Sequence, residues 1–165
     1  MSGAIAGTRY PFEDIAVLAG TDLGVTAYRV ISQEDIDAFA SLTGDWHWIH
    51  VNRDAAAAGP FGDTIAHGFF SLSLIGSFWP ELFDVDGASM KINYGLDRVR
   101  FLSPVRNGSR LRMRATIDDV QKIPGGYRLR VSQTIEIEDE PKPALFAVSI
   151  YDIRGPFASE TRERP

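Results

Sequence analysis

The segment 67–83 constrains this chain more than any other. Phe69, Phe70, Leu72, Leu74, Ile75, Phe78, Trp79 and Leu82 leave it no polar face if it is helical. A helix that is apolar all round is stable only when other structure wraps it. Its most apolar part, residues 68–80, is shorter than the roughly 20 residues needed to cross a bilayer. The cover must therefore come from the rest of the chain. Pro80 lacks a backbone N–H and is expected to bend or end the helix.

The second half of the chain offers that cover. Residues 91–101, 110–123, 127–138 and 144–153 read as four strands. The clearest alternation sets Leu111, Met113, Ala115 and Ile117 on one face against Arg110, Arg112, Arg114 and Thr116 on the other. Pro124-Gly125-Gly126 reads as a hairpin turn, and Glu140-Pro141-Lys142-Pro143 as a second turn. The expected class is α+β, with an antiparallel meander covering one helix.

The first half reads as mostly helical. A short helix is expected over 12–18, with Gly20 as its stop, and a weakly alternating strand over 25–31. Ser32 can cap the next helix, with Asp35 placed to complete a capping box. Ile36, Phe39, Ala40 and Leu42 follow at helical spacing, and Gly44 ends the run. From Asp45 to Ala66 the pattern dissolves, apart from a helical turn or two within 54–58. Irregular excursions of that length in a compact domain often carry function.

Composition narrows the classes. The chain has 165 residues, the size of one domain, and no cysteine. A disulfide scaffold, a cysteine nucleophile and Cys-ligated metals are excluded. A net charge of −5 argues against nucleic acid as a partner. The N-terminus has neither a basic start nor a sustained apolar core, so no signal peptide is read. The expectation is a cytoplasmic protein that does not insert into a membrane. Residues 1–9 are expected to be flexible, 10–154 to form one domain, and 155–165 to be a disordered tail.

The three histidines, His47, His50 and His67, all fall within or at the edge of the irregular excursion. Asp45 follows the helix-ending Gly44, five residues before His50. A carboxylate and an imidazole turned toward one point can hold a water and move protons. The same residues also suit a turn aspartate and a packed histidine. The histidine spacings match no common zinc pattern, so no metal is expected. Gly68 opens the apolar helix, where free backbone N–H groups can stabilise an oxyanion, or where glycine simply allows close packing. No phosphate-cradling glycine loop and no Gly-x-Ser-x-Gly element is present.

Two stretches identify a family. One is Phe39-Ala40-Ser41-Leu42-Thr43-Gly44-Asp45-Trp46-His47-Trp48-Ile49-His50-Val51-Asn52, followed by Gly59-Pro60-Phe61-Gly62-Asp63-Thr64-Ile65-Ala66-His67-Gly68-Phe69. The other is Asn93-Tyr94-Gly95-Leu96-Asp97-Arg98-Val99-Arg100-Phe101-Leu102-Ser103-Pro104-Val105. Together they resemble the MaoC-like (R)-specific enoyl-CoA hydratases, and most closely the short single-domain members of the mycobacterial type and the nodulation protein N group. The resemblance runs from about residue 12 to residue 153. It implies a hot-dog fold, in which an antiparallel sheet wraps one long helix, here about 67–83.

It further implies a homodimer that binds an acyl-CoA thioester between its subunits, with no cofactor. The implied reaction is reversible (R)-specific hydration of a trans-2-enoyl-CoA to the (R)-3-hydroxyacyl-CoA. The family's catalytic Asp and His match Asp45 and His50, and the glycine whose amide binds the thioester oxygen matches Gly68. Trp48, His67, Phe69, Arg98 and Arg100 are the candidate substrate contacts. Many relatives carry Asn-Pro where this chain has His47-Trp48, Asp where it has Asn52, and in some cases Ser where it has Gly76. These departures leave the pair intact and bear on pocket shape. An acyl-CoA thioesterase and a non-catalytic acyl-CoA binding module are the alternatives. The first usually takes a carboxylate from the central helix, which has none before Glu81, and the second needs no proton-transfer pair.

Overall fold

Leu111, Met113, Ala115 and Ile117 are each at most 1% exposed, while Arg110, Arg112 and Arg114 pair with Glu138, Glu136 and Asp22 on the opposite face of their strand. The alternation read in the sequence thus divides a sheet into an apolar inner face and an ion-paired outer face. The computed structural model describes residues 7–156. Residues 1–6 of the expected flexible start and 157–165 of the expected tail lie outside the described residues. Thr8 and Arg9 belong to a strand.

In chain order the elements are β1 (Thr8–Pro11), a 3-10 helix (Phe12–Val17), β2 (Thr21–Val25), β3 (Arg29–Val30), α1 (Gln33–Thr43), α2 (Trp48–Val51), α3 (Arg53–Ala57), α4 (Gly68–Ser73), α5 (Ile75–Leu82), β4 (Phe83–Asp86), β5 (Met90–Phe101), β6 (Arg110–Ile123), β7 (Gly126–Ile137) and β8 (Leu145–Arg154). The main sheet runs β2-β6-β7-β8-β5, with β3 also paired to β6. Its pairs are antiparallel. The sheet wraps α4 and α5, as the hot-dog fold requires. Leu74, Ile75, Phe78, Trp79 and Leu82 share one core with Leu111, Met113, Leu129, Val131, Leu145 and Ile153.

Several expectations are corrected. The four long strands are present, but they do not form a simple meander: β5 crosses to the far edge and pairs with β8. No continuous strand occupies 25–31. β2 ends at Val25 and β3 is only Arg29–Val30; between them the Thr26 hydroxyl accepts from Met113 N–H at 3.0 Å, occupying a donor of β6. Phe83 leaves the helix directly into β4, which pairs in parallel with β1. The capping box of α1 forms as read, with Asp35 N–H donating to Ser32 Oγ at 3.2 Å, and Gly44 caps its end at φ 76°.

The central helix is interrupted at Leu74, not at Pro80, which lies inside α5. The turn at Leu74 is slight: its angles stay helical, and Leu74 N–H still bonds the Phe70 carbonyl at 3.2 Å and Phe78 N–H the Leu74 carbonyl at 3.0 Å. Ser73 Oγ donates to the Phe70 carbonyl at 2.7 Å and Ser77 Oγ to the Leu74 carbonyl at 3.0 Å. The two hydroxyls share these carbonyls with the ladder donors, and the turn falls between them. Pro80 removes a single donor close to the helix end, where the loss is small.

Phe78 sits between helix and sheet at 1% exposure. Replacing it (Phe78→Ala) is expected to cost about 3–5 kcal/mol in urea unfolding, whereas the exposed Phe69→Ala is expected to cost less than about 0.5 kcal/mol. Equal costs would contradict this packing.

Candidate active site

The excursion between α1 and α4 folds over the start of the central helix. Gly44, in the left-handed conformation, turns the chain sharply after α1 and leaves Asp45 exposed. His50 sits in the single turn of α2 and is 7% exposed. Its backbone carbonyl accepts from Gln33 Nε2 at 2.8 Å, and Gln33 in turn accepts from the hydroxyl of Thr64. Its ring is fixed from the other side, where Nδ1–H donates to the Ile65 carbonyl at 2.6 Å. That bond sets the tautomer of the neutral ring and leaves Nε2 with a free lone pair. Gln33 and the Ile65 carbonyl were not among the sequence candidates. A helix-start glutamine and a main-chain oxygen carry no motif.

His67 caps α4 and is 3% exposed. Its ring stacks on that of His50, with centroids 3.7 Å apart and planes 26° apart. Its Nε2–H donates to the Asp45 carbonyl at 2.9 Å, while its Nδ1 is buried without a partner. His67 therefore ties the Asp45 turn to the helix start and walls one side of His50. A carboxylate oxygen of Asp45 and a ring nitrogen from each of His50 and His67 lie within 4.8 Å of one another. Two hydrogen bonds of about 2.8 Å meeting at a water span roughly that distance. The same three groups are the set among the described residues that could share a metal ion.

The remaining candidates fall into two groups. Gly68 lines a cleft of 280 Å³ with Phe61, Ile65, Ala66, Ser71 and Phe101. A Cβ at Gly68 would stand 3.3 Å from the Phe101 ring, so glycine keeps this approach open. Phe69 is exposed and packs edge-on against Phe101, and Trp48 is exposed beside Gly59. Phe69 and Phe101 thus form an apolar edge at the cleft. Arg98 and Arg100 are not brought to this site within one subunit. They alternate with Val99 and Phe101 along β5, and Arg98 lies over Phe146 on the sheet's outer face.

Burial pushes the His50 imidazole below its ordinary value of 6.5; the Ile65 bond and Asp45 oppose the shift, while His67 adds to it. The base form is therefore already populated at neutral pH. Because the folded imidazole titrates below the unfolded one, acidification through the ordinary imidazole range favours the unfolded chain. By NMR titration, His50 is expected to titrate below 6.5, lower still in Asp45→Asn and higher in His67→Gln. Unmoved values in both variants would overturn this electrostatic account.

The MaoC like domain family matches residues 15–138 of the chain. Among curated proteins, 3-hydroxyacyl-thioester dehydratase Z of Mycobacterium tuberculosis is 44% identical over 138 residues, covering 83% of this chain and 91% of the relative. Nodulation protein N of Rhizobium meliloti is 42% identical over 140 residues, covering 81% of this chain and 85% of the relative. Among solved structures, the unliganded R-hydratase PhaJ1 from Pseudomonas aeruginosa superposes with a TM-score of 0.66 at 25% identity, covering 89% of each chain. The overhanging Asp45/His50 segment, the wrapped helix and these matches agree: the chain belongs to the MaoC-like domain family.

Proposed function

We propose that this protein is a lyase that hydrates trans-2-enoyl-CoA reversibly to (R)-3-hydroxyacyl-CoA, with Asp45 and His50 as its proton-transfer pair. The observation that carries this reading is the bond from His50 Nδ1–H to the Ile65 carbonyl. It leaves a basic Nε2 on a buried ring that shares one small space with the Asp45 carboxylate. Relatives named 3-hydroxyacyl-thioester dehydratase, at 44% identity, and 3-hydroxybutyryl-CoA dehydratase, at 32%, support the reaction class.

In the hydration direction a water rests between Asp45 and His50. Nε2 takes its proton as the water oxygen bonds to C3. The C2–C3 π electrons move toward the thioester, and negative charge builds on its oxygen. The amide of Gly68, at the first helical position, has no carbonyl behind it to bond and is the donor we assign to that oxygen; Gly68 lines the cleft beside Phe101. Collapse of the enolate takes a proton from the pair onto C2. Asp45 orients the water and shares the proton, and His67 holds both partners in place. This chemistry asks for no metal and no separate cofactor.

Loss of enone absorbance with crotonyl-CoA tests the reading. Wild type is expected to consume the enone and give the (R)-3-hydroxy product, with Asp45→Asn and His50→Gln slower by about 10²–10⁴-fold. Release of free CoA thiol would instead mark a thioesterase. Equal rates in wild type and variants would move the chemistry elsewhere.

We also propose that a second copy of this chain covers β5. Among the described residues this edge strand of 12 residues pairs only with β8, and Met90, Ile92, Tyr94, Leu96 and Phe101 stand exposed along it. A long apolar edge left open is an aggregation hazard. Light scattering is expected to give a dimer for wild type and a monomer for Ile92→Glu combined with Leu96→Glu; a monomeric wild type would reject the pairing.

A further inference from the structure

Gly68, Ser71, Leu72, Ile75 and Gly76 fall at the spacing of one helical stripe. The upper part of the stripe, Gly68 and Ser71, lines the cleft already described. The lower part, Leu72, Ile75 and Gly76, lines a second cavity of 380 Å³ between the helix and strands β5 and β8. At 1.5 Å per residue, Gly76 lies about 12 Å along the helix from Gly68. A Cβ added at Gly76 would meet nothing within 4 Å, so the space beside it is open. A chain attached to a thioester at Gly68 and following the stripe ends in this second cavity.

The far wall of that cavity is not apolar. Ser149 and Tyr151 line it, each 4% exposed, on a sheet face otherwise built from residues such as Val131, Ile135, Ala147 and Ile153. Behind them Gln133 is fully buried. Ser149 Oγ donates to Gln133 Oε1 at 2.5 Å, and Gln133 Nε2 donates to Tyr151 OH at 3.0 Å. The Tyr151 proton itself has only a 3.5 Å return contact with Gln133 Oε1, well beyond a normal O–H···O bond. Ser149 Oγ, acting as donor, keeps its lone pairs. The wall thus offers one weakly committed donor and one acceptor, both buried.

Each of the three side chains has a partner within this triad, and the Tyr151 proton holds the longest of the contacts, so an acceptor placed in the cavity can bond it better than Gln133 does. Trp79 stacks face to face on Tyr151, with centroids 4.7 Å apart and planes 3° apart, and fixes the phenol in place. Burial pushes that phenol above its ordinary pKa, so it stays a donor at neutral pH. Asn93, across the ladder from Tyr151, adds a further polar group at the mouth of the cavity.

Taking the acyl-thioester reading as its premise, we propose that the second cavity receives the distal end of the acyl chain and selects chains that carry an oxygen there. The oxygen accepts from the Tyr151 hydroxyl and, when it is a hydroxyl, donates to Ser149 Oγ. The substrate class is then an oxygenated acyl thioester, not a plain fatty acyl one. A reaction that installs or preserves oxygen far from the thioester must supply it.

Calorimetric binding of saturated thioesters tests this apart from catalysis. The probes are decanoyl-CoA, ω-hydroxydecanoyl-CoA and the corresponding methyl-ketone thioester, measured on wild type, Tyr151→Phe and Ser149→Ala. Wild type is expected to bind both oxygenated chains about tenfold more tightly than decanoyl-CoA, the worth of one good hydrogen bond. Tyr151→Phe keeps the ring that stacks on Trp79 and is expected to bring both ratios close to one. Ser149→Ala is expected to lower the hydroxyl ratio more than the ketone ratio. A wild type that binds decanoyl-CoA as tightly as the oxygenated chains overturns the inference, as does a preference that survives both substitutions. Crotonyl-CoA is too short to reach the cavity, and its hydration by wild type is followed in parallel. Hydration without an oxygen preference defeats the inference alone; a preference without hydration defeats the lyase reading alone; and no binding of any thioester defeats both.

Discussion

The burial of one helix stripe against one sheet face is the constraint from which the other features descend. Once Phe78, Trp79 and Leu82 are committed to the sheet's inner face, the outer face must be polar. It is covered by ion pairs such as Arg110–Glu138 and Arg112–Glu136. The helix must also begin at the rim of the sheet, where Gly68 meets Phe101. The preceding segment is pinned there by backbone bonds from Ile65 N–H to Ile49 and from Ala66 N–H to Val105. The carbonyl that holds His50 is therefore part of the core's boundary, not of a free loop.

This anchoring explains how an exposed turn can present chemistry. Asp45 is in water, yet its backbone is held by His67, and His50 is held at its backbone carbonyl by the Gln33 side chain and at its ring by the Ile65 carbonyl. Desolvating an imidazole disfavours its charged form. Here that cost favours the reactive state, since the neutral ring is the base. The orphaned Nδ1 of His67 is the one unpaired buried polar atom among these groups, on a ring that stacks against His50.

Much of this was legible from residue patterns. Strict alternation marked β6, and the all-apolar run of 67–83 demanded a wrapping sheet. The capping box at Ser32 and the stop at Gly44 appeared where local chemistry placed them. Motif spacing singled out Asp45, His50 and Gly68; the fold groups Asp45 and His50 with His67, the residue that precedes Gly68. What escaped detection depends on long-range or main-chain contacts. The pairing of β5 with β8 is a choice of topology that no local pattern encodes. The Gln33 and Ile65 supports of His50 act through backbone atoms. The turn at Leu74 coincides with serine hydroxyls whose rotamers the sequence does not specify. Arg98 and Arg100 were singled out by charge alone, and strand alternation turns them away from the cleft.

The spacing along the central helix separates two kinds of change. At its start, His67 bonds the Asp45 carbonyl and stacks on His50, so a substitution there disturbs the histidine cluster. About two turns further on, Gly76 faces open space, with nothing within 4 Å of an added Cβ. A larger side chain at Gly76 would therefore reshape the lower cavity while leaving the contacts at the helix start untouched.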